Sequence, residues 1–163
     1  MAVIGYRCYD HQMSENVASW QMRGRIFVWR YKSIRTIHQG WHFSAEPLGC
    51  DALIELLILM KSTAAAAHRT IAVAQPTPSI WSLPDYGEPK QERLGKMRVL
   101  FDPLFDDLQM QLNVDRLELR TGVERIDDLI VALTDVRSGK GDFAFGPTHR
   151  GASPPLCFWA MRR

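Results

Sequence analysis

From residue 25 to residue 31 the side chains alternate as an extended strand requires, with Phe27, Trp29 and Tyr31 on one side and Ile26, Val28 and Arg30 on the other. Lys32-Ser33 supplies a turn. The stretches 34–37 and 41–45 then read as returning strand, with Gly40 as a bulge or tight bend between them. After that the period changes. Pro47 suits the first turn of a helix, Leu53, Leu56, Leu57 and Met60 recur at helical spacing, and the alanine run 64–67 extends the helix before a strand over 69–75. Strands over 97–101, 108–112 and 116–120 follow, then a second helix with Val123, Ile126, Leu129, Ile130 and Leu133 on one face. Thr121 and Glu124 stand at capping-box spacing before it, and Gly139 stands where a helix-ending glycine belongs. Strands over 143–145 and 156–161 finish the chain. Between the two halves, residues 75–94 hold Pro76, Pro78, Pro84, Pro89 and Gly87 and read as an extended connection. Residues 1–23 lack a sustained period and read as an arm, with a short helix around 15–20.

Several short matches recur in the same order. Gly24-Arg25-Ile26 returns as Gly95-Lys96-Met97, Asp51–Leu57 as Asp127–Leu133, Ile71-Ala72-Val73 as Phe143-Ala144-Phe145, Pro76-Thr77 as Pro147-Thr148, and Ile80-Trp81 as Phe158-Trp159. The spacing drifts between about 71 and 78 residues, which loops absorb. The pattern predicts an arm over 1–23 and one domain over 24–163. That domain is α+β: a largely antiparallel sheet with two main helices, divided into pseudo-repeated strand-strand-helix-strand halves at 24–81 and 95–159 that are joined by the connection 82–94.

Composition adds limits. With 163 residues, 46% apolar and 23% charged, the chain can bury a sizeable core, and a net charge of +2 does not by itself point to nucleic acid or membrane. The longest apolar run, 52–60, is broken by Glu55 and is far short of the roughly 20 residues that span a bilayer. Cys8, Cys50 and Cys157 are too few and too widely spaced for a disulfide framework, and the charged, aromatic start at Tyr6–His11 is no export signal, so a cytoplasmic location is expected.

Local catalytic motifs are missing: no phosphate-binding glycine loop, no nucleophile elbow, no His-Glu-x-x-His and no Cys-x-x-Cys. Gly139-Lys140-Gly141 follows a helix instead of preceding one, so it reads as a turn. His38 and His42, with Cys8 and His11 from the arm, are the only residues from which a zinc site could be drawn. On an unbroken strand 38 and 42 would lie about 13 Å apart at roughly 3.3 Å per residue, too far to share an ion without a bend at Gly40. Asp102, Asp106 and Asp107 crowd one turn, where carboxylates more economically satisfy backbone amides than perform acid-base work. Arg23, Arg25, Arg30, Lys32 and Arg35 surround Phe27, Trp29 and Tyr31, a combination that can stack single-stranded bases if the rings are exposed. The reading favoured here buries those rings against the helices, and Cys157 as an inert core thiol.

The expectation is a small bacterial-type cytoplasmic protein, a non-catalytic binding or accessory protein without metal or cofactor, acting through a protein partner or as a homodimer. Trp81 and Tyr86 in the connection, with His149 and Arg150 in the polar loop 147–153, are the candidate contacts. Two alternatives stand beside it. One is an enzyme whose His38, His42 and Asp102–Asp107 carboxylates converge between the halves; the other is a single-stranded nucleic-acid binder using the arginine-aromatic strand.

Overall fold

A computed structural model describes residues 16–31, 40–77, 91–148 and 153–161. Nine strands and two helices follow in order: β1 (Ile26–Tyr31), β2 (Trp41–Ala45), α1 (Pro47–Thr63), β3 (Ala67–Ala72), β4 (Gln91–Arg93), β5 (Lys96–Phe101), β6 (Leu108–Asn113), β7 (Arg116–Thr121), α2 (Val123–Arg137), β8 (Phe143–Phe145) and β9 (Leu156–Phe158). The fold is α+β. Its strands form two sheets, ordered β4-β1-β2-β9-β8 and β3-β5-β7-β6. Pairing is antiparallel except for β2 with β9 and β5 with β7.

Each helix carries the chain from one sheet to the other. The hairpin β1-β2 lies in the five-stranded sheet, but α1 delivers β3 to the four-stranded sheet; β6-β7 lies in the four-stranded sheet, and α2 delivers β8 back. Leaving β4 aside, the order β1-β2-β9-β8 and the order β6-β7-β5-β3 show the same succession of antiparallel, parallel and antiparallel pairs. Here the residue matches and the strand order part company. The match of Gly24-Arg25-Ile26 with Gly95-Lys96-Met97 sets β1 against β5, yet β1 occupies the position that β6, not β5, holds in the other sheet.

The helices run antiparallel, as two ion pairs at opposite ends show. Lys61, in the last turn of α1, reaches Asp127 near the start of α2 at 2.7 Å, while Arg137 in the last turn of α2 bonds Asp51 near the start of α1. Both pairs place the cation at a helix C-terminus and the anion near an N-terminus, where the helix dipole favours them. The inner faces of both sheets meet the helices in one core. Phe43 and Phe158 from the first sheet, Val99 and Leu119 from the second, and Leu57 and Leu133 from the helices line a residual void of about 20 Å³.

Four local expectations give way to specific forces. The alanine run does not extend α1: Ala64 closes it in the left-handed region at φ 53, and Ala67 already pairs with Phe101. Cross-strand pairing overrides alanine's helix propensity there. No capping box forms before α2, because Thr121 is the last residue of β7 and the N-cap is Gly122. A Cβ at Gly122 would sit 1.5 Å from the Phe105 carbonyl oxygen, so this close approach excludes any side chain. Phe27 and Trp29 are buried, but on the face opposite the helices; Ile26 and Val28 enter the core instead. Within the long connection, 91–93 forms a strand, β4, beside β1. The predicted strand 34–37 lies outside the described residues.

At the β6-β7 turn, Asn113 pairs with Arg116, leaving Val114 and Asp115 as the loop, and Val114 adopts φ 54. A β-branched side chain is costly in that region, and Val114, 94% exposed, recovers nothing by burial. Val114→Gly is expected to stabilise the fold by on the order of 1 kcal/mol, read as a higher denaturant midpoint at unchanged slope.

Candidate functional site

The outer face of the five-stranded sheet is closed over its middle strands. Register sets Trp29, His42 and Cys157 side by side on β1, β2 and β9, and all three are buried. The His42 ring lies between Trp29 and Trp159, at 5.6 and 5.9 Å between centroids, with the Tyr31 ring edge-on at 4.9 Å. Trp159 Nε1–H donates to His42 Nδ1 at 2.9 Å, so in this arrangement that nitrogen carries no proton and serves as an acceptor. Ser44 Oγ–H donates to the Trp159 carbonyl at 2.8 Å, pinning the same segment. Burial pushes the Tyr31 hydroxyl up, an effect that the neighbouring Trp29 indole partly offsets. With Trp29 1% exposed and Phe27 fully covered, this strand offers no stacking surface for bases.

Among the described residues, the groups of the dispersed-enzyme reading keep separate partners. Asp102 bonds Arg120 and accepts from the Leu104 amide at 3.0 Å; the guanidinium holds its carboxyl below the usual range. Asp107 is turned the other way. It is 3% exposed, lies 3.1 Å from Arg125, and accepts from the Thr148 and Leu108 amides at 2.8 Å each. His42 belongs to the aromatic face just described, and His38, with Cys8 and His11, lies outside the described residues. Among the described residues no three of the His, Cys, Asp and Glu side chains are grouped to hold a metal.

Neither described cysteine is an activated nucleophile. Burial pushes the Cys157 thiol up, and burial followed by the Asp51 charge pushes Cys50 up to about 12. Protonated thiols attack poorly. The amides at Gly139 and Lys140 are bonded to the Val136 and Asp135 carbonyls, so this turn is closed to phosphate as well.

Arg125 is a residue whose part the sequence did not announce. Besides Asp107, it donates to Thr148 Oγ1 at 2.7 Å, to the Gly146 carbonyl at 2.9 Å and to Asp128 at 3.1 Å, and its guanidinium lies 4.5 Å over the Phe145 ring. It ties the exit of β8, in one sheet, to the turn before β6, in the other. This is a structural hub, since every contact is internal.

The surface that remains open is the outer face of the four-stranded sheet. Strict alternation along its strands sends Met97, Val99 and Phe101, Leu108 and Met110, and Leu117 and Leu119 inward to the core. Facing out are His68, Thr70 and Ala72 on β3, Lys96, Arg98 and Leu100 on β5, Arg116, Glu118 and Arg120 on β7, and Gln109, Gln111 and Asn113 on β6. Cross-strand rows follow from register, one of them running Thr70, Arg98, Glu118, Gln111. Glu118 is shared by Arg116 at 3.2 Å, Arg98 at 3.9 Å and the Asn113 amide at 3.3 Å, while Arg98 Nε–H donates to Thr70 at 3.0 Å. Of the four cations on these strands, Arg98 and Arg116 share Glu118, while Lys96 pairs with Asp115 at 3.7 Å and Arg120 with Asp102, both carboxylates lying at the rim. A depression of about 450 Å³ lies over this face, lined by His68, Leu100, Asp102, Gln109, Glu118 and Arg120 among others.

No protein-family model, curated protein or solved structure matches this chain. The expected contact residues Trp81, Tyr86, His149 and Arg150 lie outside the described residues. No helix among the described residues is long and apolar enough to cross a membrane.

Removing Arg125 would take an ion-pair partner from the buried Asp107 carboxylate. Arg125→Met is expected to cost about 3 kcal/mol in chemical denaturation, with part of the loss restored by adding Asp107→Asn. The raised thiol of Cys50 has its own signature. The folded chain keeps a proton that the unfolded chain releases above the ordinary thiol value of 9.0, so stability falls as pH climbs from there toward 12. Melting temperature against pH for the wild type and Cys50→Ala should show a shallower alkaline decline in the variant.

Proposed function

We propose that this is a non-catalytic binding protein that recognises a carboxylate-bearing protein partner across the open face of the four-stranded sheet. The observation that carries the reading is the outward cluster of four cations, Lys96, Arg98, Arg116 and Arg120, against three carboxylates, of which only Glu118 stands on the strands. Antiparallel and mixed sheets can leave one face to solvent, and an exposed sheet face with forked guanidinium donors matches carboxylate geometry. The outward positions of β5, β6 and β7 carry no Phe, Tyr or Trp, and the ring at their margin, Phe105, is covered by the Arg120 guanidinium at 4.2 Å.

The test is a titration with poly-glutamate, following the side-chain Nε–H signals of Arg98, Arg116 and Arg120 by NMR. Shifts confined to these arginines, weakening with salt and at least about tenfold weaker in Arg98→Gln/Arg120→Gln, are expected. Binding that maps elsewhere, or tighter binding of a single-stranded oligonucleotide than of poly-glutamate, overturns the assignment.

A further inference from the structure

We infer that the protein pairs with a second copy of itself along the free edge of β3, joining two four-stranded sheets into one. The inference stands apart from what the open face binds. β3 ends its sheet: its one neighbour is β5, and no strand among the described residues lies beyond it. It runs for six residues without proline, lysine or bulge, and its one charged blunting residue, Arg69, is tied to the Trp20 carbonyl and not to the edge.

Every other sheet edge among the described strands is short or capped. β4 and β8 have three residues each. On β6 the Leu108 amide is taken by Asp107 Oδ1 at 2.8 Å and the Met110 amide by Ser153 Oγ at 3.2 Å, so side chains occupy the positions that another strand would need. On β3 nothing comparable occurs.

Hydrogen-bond parity says which β3 groups are free. The Val73 amide donates to the Gly95 carbonyl, and this pair continues the β3-β5 register, so Ala67, Arg69 and Ile71 also point their N–H and C=O groups at β5. His68, Thr70 and Ala72 then point theirs to the open edge, and all three residues are exposed. This set is self-complementary. A twofold axis through Thr70 pairs Thr70 with Thr70 and His68 with Ala72 of the second copy, and each pair exchanges both N–H···O bonds. Threonine facing threonine is a favourable cross-strand pair. The same axis sets Arg69 opposite Ile71, so no like charges are opposed, and Arg69 is in any event turned inward, donating to the Trp20 carbonyl at 2.6 Å. The charged residues of the open face stand on β5 and β7, one and two strands further in; of these Arg98 reaches the axis residue, donating to Thr70 Oγ1 at 3.0 Å.

The parity also supplies a clean variant. Because the Thr70 amide points away from β5, Thr70→Pro removes no bond from the existing ladder and is tolerated at an edge, while it deletes the central bond of the dimer; Thr70→Glu sets two carboxylates opposite each other. Sedimentation velocity over rising concentration should show a monomer–dimer equilibrium for the wild type and monomer for both variants, whose circular dichroism and melting stay those of the wild type. Independently of any variant, hydrogen exchange at the Thr70 and Ala72 amides of the wild type should slow about tenfold between dilute and concentrated samples, while exposed amides on α1 do not change. A wild type that remains monomeric at every concentration overturns the inference, even if the edge captures a foreign peptide. A dimer that persists in both variants, or exchange at Thr70 that ignores concentration, overturns it as well.

Discussion

A carboxylate at 3% exposure cannot stay ionised in a protein interior without a partner, and Asp107 has Arg125. Much else rests on this pair. Asp107 sits in the turn that leads into β6, and Arg125 rises from the first turns of α2 to reach the backbone just beyond β8. One guanidinium therefore fixes the angle at which α2 leaves one sheet and the place where its chain enters the other. The diagonally opposite corner is held by backbone alone: the Ala74 amide donates to Ile26 and the Val73 amide to Gly95, so the extension of β3 binds a strand of each sheet in succession. With both corners fixed, the helices lie between the inner faces and the core closes around them.

The two outer faces take opposite solutions. On the five-stranded sheet the outward positions Phe27, Trp29, His42, Ser44 and Cys157 are buried, Tyr31 is half-buried and Ala144, on the edge strand β8, is exposed. On the four-stranded sheet they are arginine, glutamine, threonine and histidine, and they are wet. The same strand order thus supports a sealed aromatic layer on one side and a solvated, guanidinium-rich layer on the other. Fold alone does not assign a role to either; the difference in side chains does.

Period was legible in the sequence, and partnership was not. The strands at 26–31, 41–45, 96–101, 108–113 and 116–121 and both helices follow from apolar spacing, because burial on one face of an element imposes that spacing locally. Their division into two sheets could not be read the same way, since it depends on contacts such as Val73 with Gly95 that leave no periodic trace. The aromatic strand drew attention through Trp29, whereas the alternation Lys96-x-Arg98 and Arg116-x-Glu118-x-Arg120 was available in the sequence and marks the open face. Aromatic mass proved to signal burial, and alternating charge to signal solvent. Gly122 shows a further limit: Thr121 and Glu124 have the spacing of a cap, but a carbonyl from Phe105, distant in the chain, decides what can stand at the helix start.

The exchange of strands between the sheets has a consequence for how the molecule forms. Residues 26–101 contribute β1, β2 and β4 to one sheet and β3 and β5 to the other; residues 108–158 supply the complementary hairpin and closing pair. Neither segment can complete a sheet from its own strands. A ribosome that has released only the first segment has made two sheet fragments whose inner edges, on β2 and β5, still await β9 and β7, which are not yet synthesised. Folding must therefore wait for distant parts of the chain, a topology that slows collapse to the native state and leaves unsatisfied strands exposed during synthesis. The chain is stitched through itself, and the five-stranded sheet closes only when β9 is in place.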